Sequence, residues 1–433
     1  MIRSKNACIM HALVGALVVG TWGCSGDDVT YAPEAGQPKS DATVDAPASP
    51  DAGDATVPQR LLMTQIATKG ELVAFNTQTK QVDGRLSFPG FGVVVRSGGT
   101  YLLETGQDIV ARLDPSQPWK VQSTWSVAMD DALDGGESYA DPIQIVQVSS
   151  SKAYVLRYNR NRIAVVDPSA NADAGAPSSS VDLSSLMQAG DGDGHVDMSG
   201  AVYDASRQRL YVALANIDIH LVDPQGYFLL CAGTKSTLIA IDTTNDTLVN
   251  LGGTGPGGGV ELAGYSPQMG FLGGVLLDAA SDRVLVLSTG CNQPTTDGGT
   301  GALVGRLVEA VDLKANTTQV LLDASAQDFP GQIFYLDGTH AIAQFGYGPF
   351  ATTFRWDPTQ PSLGTAFATA PDLFDLDLAG NRMLGPETTF ASDGGAGPMN
   401  VIGVDLGDGG VTVLGQNPFL ESGGFLGNAL LSQ

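Results

Sequence analysis

The densest chemistry in the chain lies in seven consecutive residues, Asp191-Gly192-Asp193-Gly194-His195-Val196-Asp197. Carboxylates two apart, with glycine to bend the chain, can turn several oxygens onto one cation, as the front half of a calcium loop does. Asp191, Asp193 and Asp197 are therefore candidate metal ligands, and calcium is the cation that spacing suits. The back half of such a loop is absent, because Val202 stands where a calcium loop requires Glu. An acidic turn leading into a strand accounts for the same letters, and both readings stand.

Other chemistry is sparse. After the N-terminal segment only His195, His220 and His340 remain, and no GxSxG, HExxH or CxxCH is present. No catalytic residue is assigned. Glu137, Asp141, His195, Glu261, Asp328 and Glu421 fall in loops that a repeat fold would bring to one face. They could pair for acid–base work or cation binding, or be solvated loop charges. Cys231 and Cys291 remain once Cys8 and Cys24 are set aside. In an exported chain they read as a disulfide; two buried thiols or a metal pair are the alternatives.

The elements that must position these residues repeat. Ile163-Ala164-Val165-Val166-Asp167 is a short apolar strand halting at an acid. The same grammar recurs at Leu72–Asn76, Ile109–Asp114, Leu238–Asp242, Val308–Asp312, Thr352–Asp357 and Asn400–Asp405. β-Branched residues suit a pleated surface, and a terminal Asp or Asn caps a tight turn. A repeat of about 40–70 residues implies a propeller or solenoid. The C-terminal Gly424–Leu431 matches Gly270–Leu277, read as opening the fifth repeat with its innermost strand, almost letter for letter, and the first repeat lacks one strand. Leu363–Phe367 reads as the fourth strand of the sixth repeat, and 289–305 and 389–398 read as long loops. The expected fold is all-β, a seven-bladed β-propeller over residues 59–433, closed when the C-terminal strand joins the first blade. An eighth copy, Ile219–Pro224, lies too close to Thr237 for another blade, so 217–235 reads as an insertion; eight blades is the alternative.

The third and fourth repeats, Tyr154-Val155-Leu156 with Ile163–Asp167 and Tyr211-Val212-Ala213 with Leu238–Thr247, resemble the YVTN-type β-propeller repeat of extracytoplasmic bacterial and archaeal proteins. Leu156-Arg157 and Ala213-Leu214 replace the Thr-Asn of that motif. The resemblance spans about residues 60–433 and implies a surface or periplasmic binding scaffold, with lactonases among the relatives.

The N-terminus carries an address. Arg3 and Lys5 precede an apolar run from Ile9 to Trp22, and residues 1–23 read as a signal peptide. Gly23-Cys24 resembles a bacterial lipoprotein cleavage box, with Cys24 the lipidated residue. Residues 24–58, rich in Ala, Asp and Pro, have almost no large apolar side chains and read as a flexible tether. Net charge is −24, which opposes nucleic acid and anionic lipid.

Together these features predict a monomeric cell-envelope protein, outer-membrane or surface, held to the membrane through its lipid anchor only. Its long-loop face would bind an envelope protein, a glycan or a small ligand. The alternative is a lactonase-type hydrolase with a divalent cation held by acids at the axial mouth.

Overall fold

In the computed structural model the described residues are 58–432, without 67, 130–138, 171–174, 219, 223–228, 232, 296–299, 329, 347–349, 391–395 and 420–424. Pro58–Gln433 forms one compact unit. The segment read as a signal peptide, Cys24 and nearly all of the expected tether lie outside the described residues, as do Glu137 and Glu421.

Seven antiparallel sheets follow one another along the chain. Blade 1 contains β1 (Arg60–Ile66), β2 (Gly70–Asn76) and β3 (Gln81–Phe88). Blade 2 is β4 (Gly92–Arg96), β5 (Thr100–Glu104), β6 (Ile109–Leu113) and β7 (Val121–Ser126). Blade 3 is β8 (Pro142–Ser149), β9 (Lys152–Arg157), β10 (Arg162–Val166) and β11 (Ser179–Asp182). Blade 4 is β12 (Met198–Asp204), β13 (Arg209–Leu214), β14 (Thr237–Asp242) and an outer strand in two pieces, β15 (Thr247–Val249) and β16 (Val260–Glu261).

Blade 5 opens with β17 (Val275–Asp278) and β18 (Arg283–Leu287). It then inserts a hairpin, β19 (Cys291–Pro294) and β20 (Thr300–Val304), before β21 (Leu307–Asp312) and β22 (Thr317–Asp323). Blade 6 has three strands, β23 (Pro330–Asp337), β24 (His340–Phe345) and β25 (Thr352–Trp356). Blade 7 is β26 (Asp375–Asp377), β27 (Arg382–Phe390), β28 (Ala396–Asp405) and β29 (Val411–Gln416). The last strand, β30 (Phe425–Ser432), pairs antiparallel with β1 and closes the ring of seven.

The core lies between neighbouring sheets. Leu61, Met63 and Val73 of blade 1 meet Leu384 and Val401 of blade 7, and Leu426 and Leu431 of the closing strand belong to the same cluster. Leu61, Met63 and Val73 are fully buried, and each such side chain contributes roughly 1.5–3 kcal/mol. Amide side chains also stitch innermost strands of adjacent blades. Asn428 on β30 accepts from Val94 N at 2.9 Å and donates to Val94 O at 2.5 Å. Gln144 on β8 does the same for Ala201 on β12, at 2.7 and 2.9 Å. A side-chain amide that copies a peptide group satisfies buried backbone where two sheets cannot pair directly.

Three sequence expectations need correction. The segment matching the closing strand does not open blade 5 as a strand along its length. Gly270–Leu272 is a 3-10 turn, and the strand starts only at Val275. Gly273 has φ +77°, and a Cβ on Gly274 would lie 1.9 Å from Gln268 O, so this backbone tolerates no side chain there. The turn sends Phe271 into the ring axis, against core clusters of blades 7 and 1 on one side and blades 2 and 3 on the other. Beneath it an axial cavity of about 260 Å³ is lined by residues such as Arg96, Tyr335 and Asp375.

Second, the expected fourth strand of blade 6, Leu363–Phe367, makes only one bridge, Phe354 to Ala366. Third, in the expected long loops 289–305 and 389–398 most of the described residues are strand, belonging to β19 and β20 in the first and to the ends of β27 and β28 in the second. The 217–235 segment does sit between β13 and β14, as an insertion.

Candidate functional site

In this ring one face carries the connections from each outermost strand to the next blade and from each second strand to the third. The acidic stretch 191–197 links β11 to β12 on that face, and the 217–235 insertion rises beside it from β13. The base of the insertion is tied off. Lys235 O accepts from Asn216 Nδ2 at 3.0 Å and from Gln188 Nε2 at 2.5 Å, and Ser236 Oγ donates to Ala215 O at 2.9 Å.

Asp193, His195 and Asp197 are 3%, 2% and 0% exposed, and each offers a ligand atom within 4.8 Å of the others. One oxygen of Asp197 accepts from Ile217 N at 2.9 Å. The other, Oδ1, is buried with no hydrogen-bond partner among the described residues. A buried carboxylate oxygen with no donor costs free energy that a cation would recover. Burial, then the carboxylates of Asp193 and Asp191, push Asp197 well above the usual carboxylate range. Asp191 is pushed up to about 8, first by burial and next by Asp193. The Tyr158 phenol, fully enclosed, is raised by burial and by Asp197, Asp193 and Asp191.

A second set joins the first at Asp193. Asp218 and His220, from the insertion, lie with Asp193 within the same 4.8 Å limit. Both triplets have one design, Asp-x-His with the Asp oxygen bonded to the His backbone. His195 N donates to Asp193 Oδ1 at 3.0 Å, and His220 N to Asp218 Oδ1 at 2.9 Å. Sequence reading passed over Asp218 and His220, taking that stretch as a stray copy of the strand grammar. The signal was available, since two of the three histidines beyond residue 190 follow an Asp by two positions.

The other predicted site residues are placed as follows. Asp191 borders the buried set electrostatically but is not one of its three close ligands. Asp141 accepts from Asn159 Nδ2 at 2.8 Å on the neighbouring blade 3 loop. Glu261, at the end of β16, and Asp328, between β22 and β23, are exposed, and neither joins a ligand cluster among the described residues. Cys231 and Cys291 are bonded, with Cα atoms 5.2 Å apart, and tie the blade 4 insertion to the blade 5 hairpin.

These features define a seven-bladed β-propeller with an acidic, histidine-containing cluster over blades 3 and 4. Solved propellers are similar in fold. A candidate 6-phosphogluconolactonase from Bacteroides uniformis aligns at TM-score 0.50 and 11% identity, over 83% of this chain and 95% of that one. Apo AztD from Citrobacter koseri aligns at 0.49 and 9%, over 86% and 98%. BamB from Moraxella catarrhalis aligns at 0.42 and 15%, over 83% and 82%. At these identities the likeness is one of fold alone. No family model matches the chain, and no curated protein matches it.

Proposed function

We propose that this chain is an exported, lipid-tethered propeller that binds a divalent cation over blades 3 and 4 and serves as a binding protein rather than a hydrolase. The observation that carries the cation is Asp197, wholly buried, with one oxygen lacking a donor beside Asp193 and His195. The imidazole in each triad favours Zn²⁺, a borderline cation, and the carboxylates admit the harder Mn²⁺, whereas calcium prefers an all-oxygen shell. A net charge of −24 concentrates cations at the surface. The basic-apolar leader and Gly23-Cys24 support export and anchoring, and the low-apolar tether would hold the ring away from the bilayer.

The hydrolase alternative needs a cation and substrate space at the axial mouth. The axial cavity, which Phe271 helps to line, is lined by none of the five clustered ligand residues. Elemental analysis after metal loading and desalting tests the reading, together with thermal unfolding in Zn²⁺, Mn²⁺, Ca²⁺ and EDTA. Retained Zn²⁺ or Mn²⁺ with a raised melting temperature is expected. Identical melting in all four conditions, with no retained metal, would reject it.

A further inference from the structure

Resting on the cation-binding reading, we infer that the site holds two divalent cations bridged by the Asp193 carboxylate: an inner ion on His195 and Asp197 and an outer ion on Asp218 and His220. The ligand atoms form two close sets that share only Asp193, not one set of five. A cation holding its ligands at about 2.0–2.2 Å keeps them within a few ångströms of one another, so one ion serves either set and not both. A shared carboxylate between two such shells is how paired metals sit roughly 3.5–4 Å apart.

The two positions differ in access. The inner triad is buried throughout, whereas the His220 side chain is 49% exposed and that of Asp218 19%. Each ion has two unshared protein ligands, but only at the exposed outer position are the remaining coordination sites open to water or an anionic ligand. Both ions stay bound, the inner one exchanging more slowly than the outer one.

The outer shell also depends on a scaffold that the inner shell does not use. Leu230 N donates to Leu221 O at 2.8 Å, next to His220, and Cys231 N donates to Asn292 O at 2.9 Å. Asn292 N in turn donates to Leu229 O at 3.0 Å, and the Cys231–Cys291 bond locks this seam to the blade 5 hairpin. Gly192 sets the other wall, since a Cβ there would lie 2.3 Å from Asp218 Oδ2.

The test uses the oxidised full chain, stripped with EDTA, loaded with Mn²⁺ or Zn²⁺ and counted by elemental analysis, with electron paramagnetic resonance of the Mn²⁺ form. Wild type should retain two equivalents and give an exchange-coupled spectrum. His220→Ala and Gly192→Ala should each retain one equivalent with an uncoupled six-line signal. The paired Cys231→Ser, Cys291→Ser variant should bind the second equivalent at least tenfold more weakly. One equivalent in wild type, unchanged in His220→Ala, overturns the bridged pair while leaving a single-cation site intact. Two equivalents without coupling also overturns the bridge. No retained metal in wild type rejects the cation reading itself.

Discussion

At the end of the third strand of every blade an Asp or Asn turns an oxygen back onto its own backbone. Asp312 Oδ1 accepts from Lys314 N and Ala315 N at 2.7 Å, Asp405 Oδ1 from Gly407 N at 2.7 Å, and Asn76 Oδ1 from Thr79 N at 2.9 Å. These bonds lower the pKa of Asp312 and Asp405, because backbone donors favour the charged form. On the opposite face Asp191 and Asp197 are driven the other way, by burial and by one another's neighbours. One residue type thus does two jobs. Where the chain supplies donors within three residues, the acid shapes a turn. Where folding removes water and crowds carboxylates together, the acid is held toward its neutral form.

Burial alone does not make the difference. Glu309 is also wholly buried on the upper face, yet its two oxygens accept from Ala263 N and Gly264 N at 2.9 Å each. Asp197 has one backbone donor for two oxygens. The count of donors, not depth, separates a structural acid from a candidate ligand.

The largest expected effect probes the crowded face. With free Zn²⁺ or Mn²⁺ roughly 1,000-fold above Kd, the folded state gains about 4 kcal/mol. Asp197→Asn should remove the inner ion's share of that gain in chemical denaturation with and without the ion, and a response equal to wild type would remove Asp197 from the site. Next comes Glu104, 2% exposed with Oε2 unpartnered and pushed by burial from 4.5 to about 7. Its native state favours the neutral acid, so stability present below pH 4.5 is lost as pH rises through 7. Glu104→Gln should therefore stabilise by about 3 kcal/mol above pH 7 and change nothing below pH 4.5. Equal effects at both pH values would show that the carboxyl is not charged at the higher one.

The turn acids should respond in the opposite pH range. Asp337, the last residue of β23, is lowered from 3.8 to about 2, chiefly by Thr339 N. Its contribution is present above 3.8 and lost as pH falls toward 2. Acid unfolding followed by circular dichroism should steepen in that window for wild type and shift less for Asp337→Asn. The smallest effect belongs to single turns. Asp114→Ala, which deletes acceptors for Ser116 N and Gln117 N, should lower the melting temperature slightly and leave metal retention untouched. Lost metal binding in that variant would erase the distinction between the two faces.

Much of the ring was legible in the letters because its determinants are local. Each third strand carries its own alternation and its own terminal acid, and all seven acids or amides cap the turn expected of them. Closure was legible too, since blade 1 lacked one strand that the C-terminus could supply. The near-identity of 270–277 and 424–431 misled for a physical reason. Gly270 packs within 3.1 Å of where a Gly200 Cβ would stand, and the crossing turn is set by that approach, not by its own residues.

Sequence by itself determined the strands, their capping acids and the number of blades, because those depend on residues a few positions apart. Only tertiary structure decided which acids come within 4.8 Å of one another and of an imidazole. Asp193 and Asp218 are 25 positions apart on two different connections, and they meet because β12 pairs with β13, which lays the blade 4 insertion beside the blade 3 exit loop. Desolvation is a property of that meeting, and no short stretch of chain contains it.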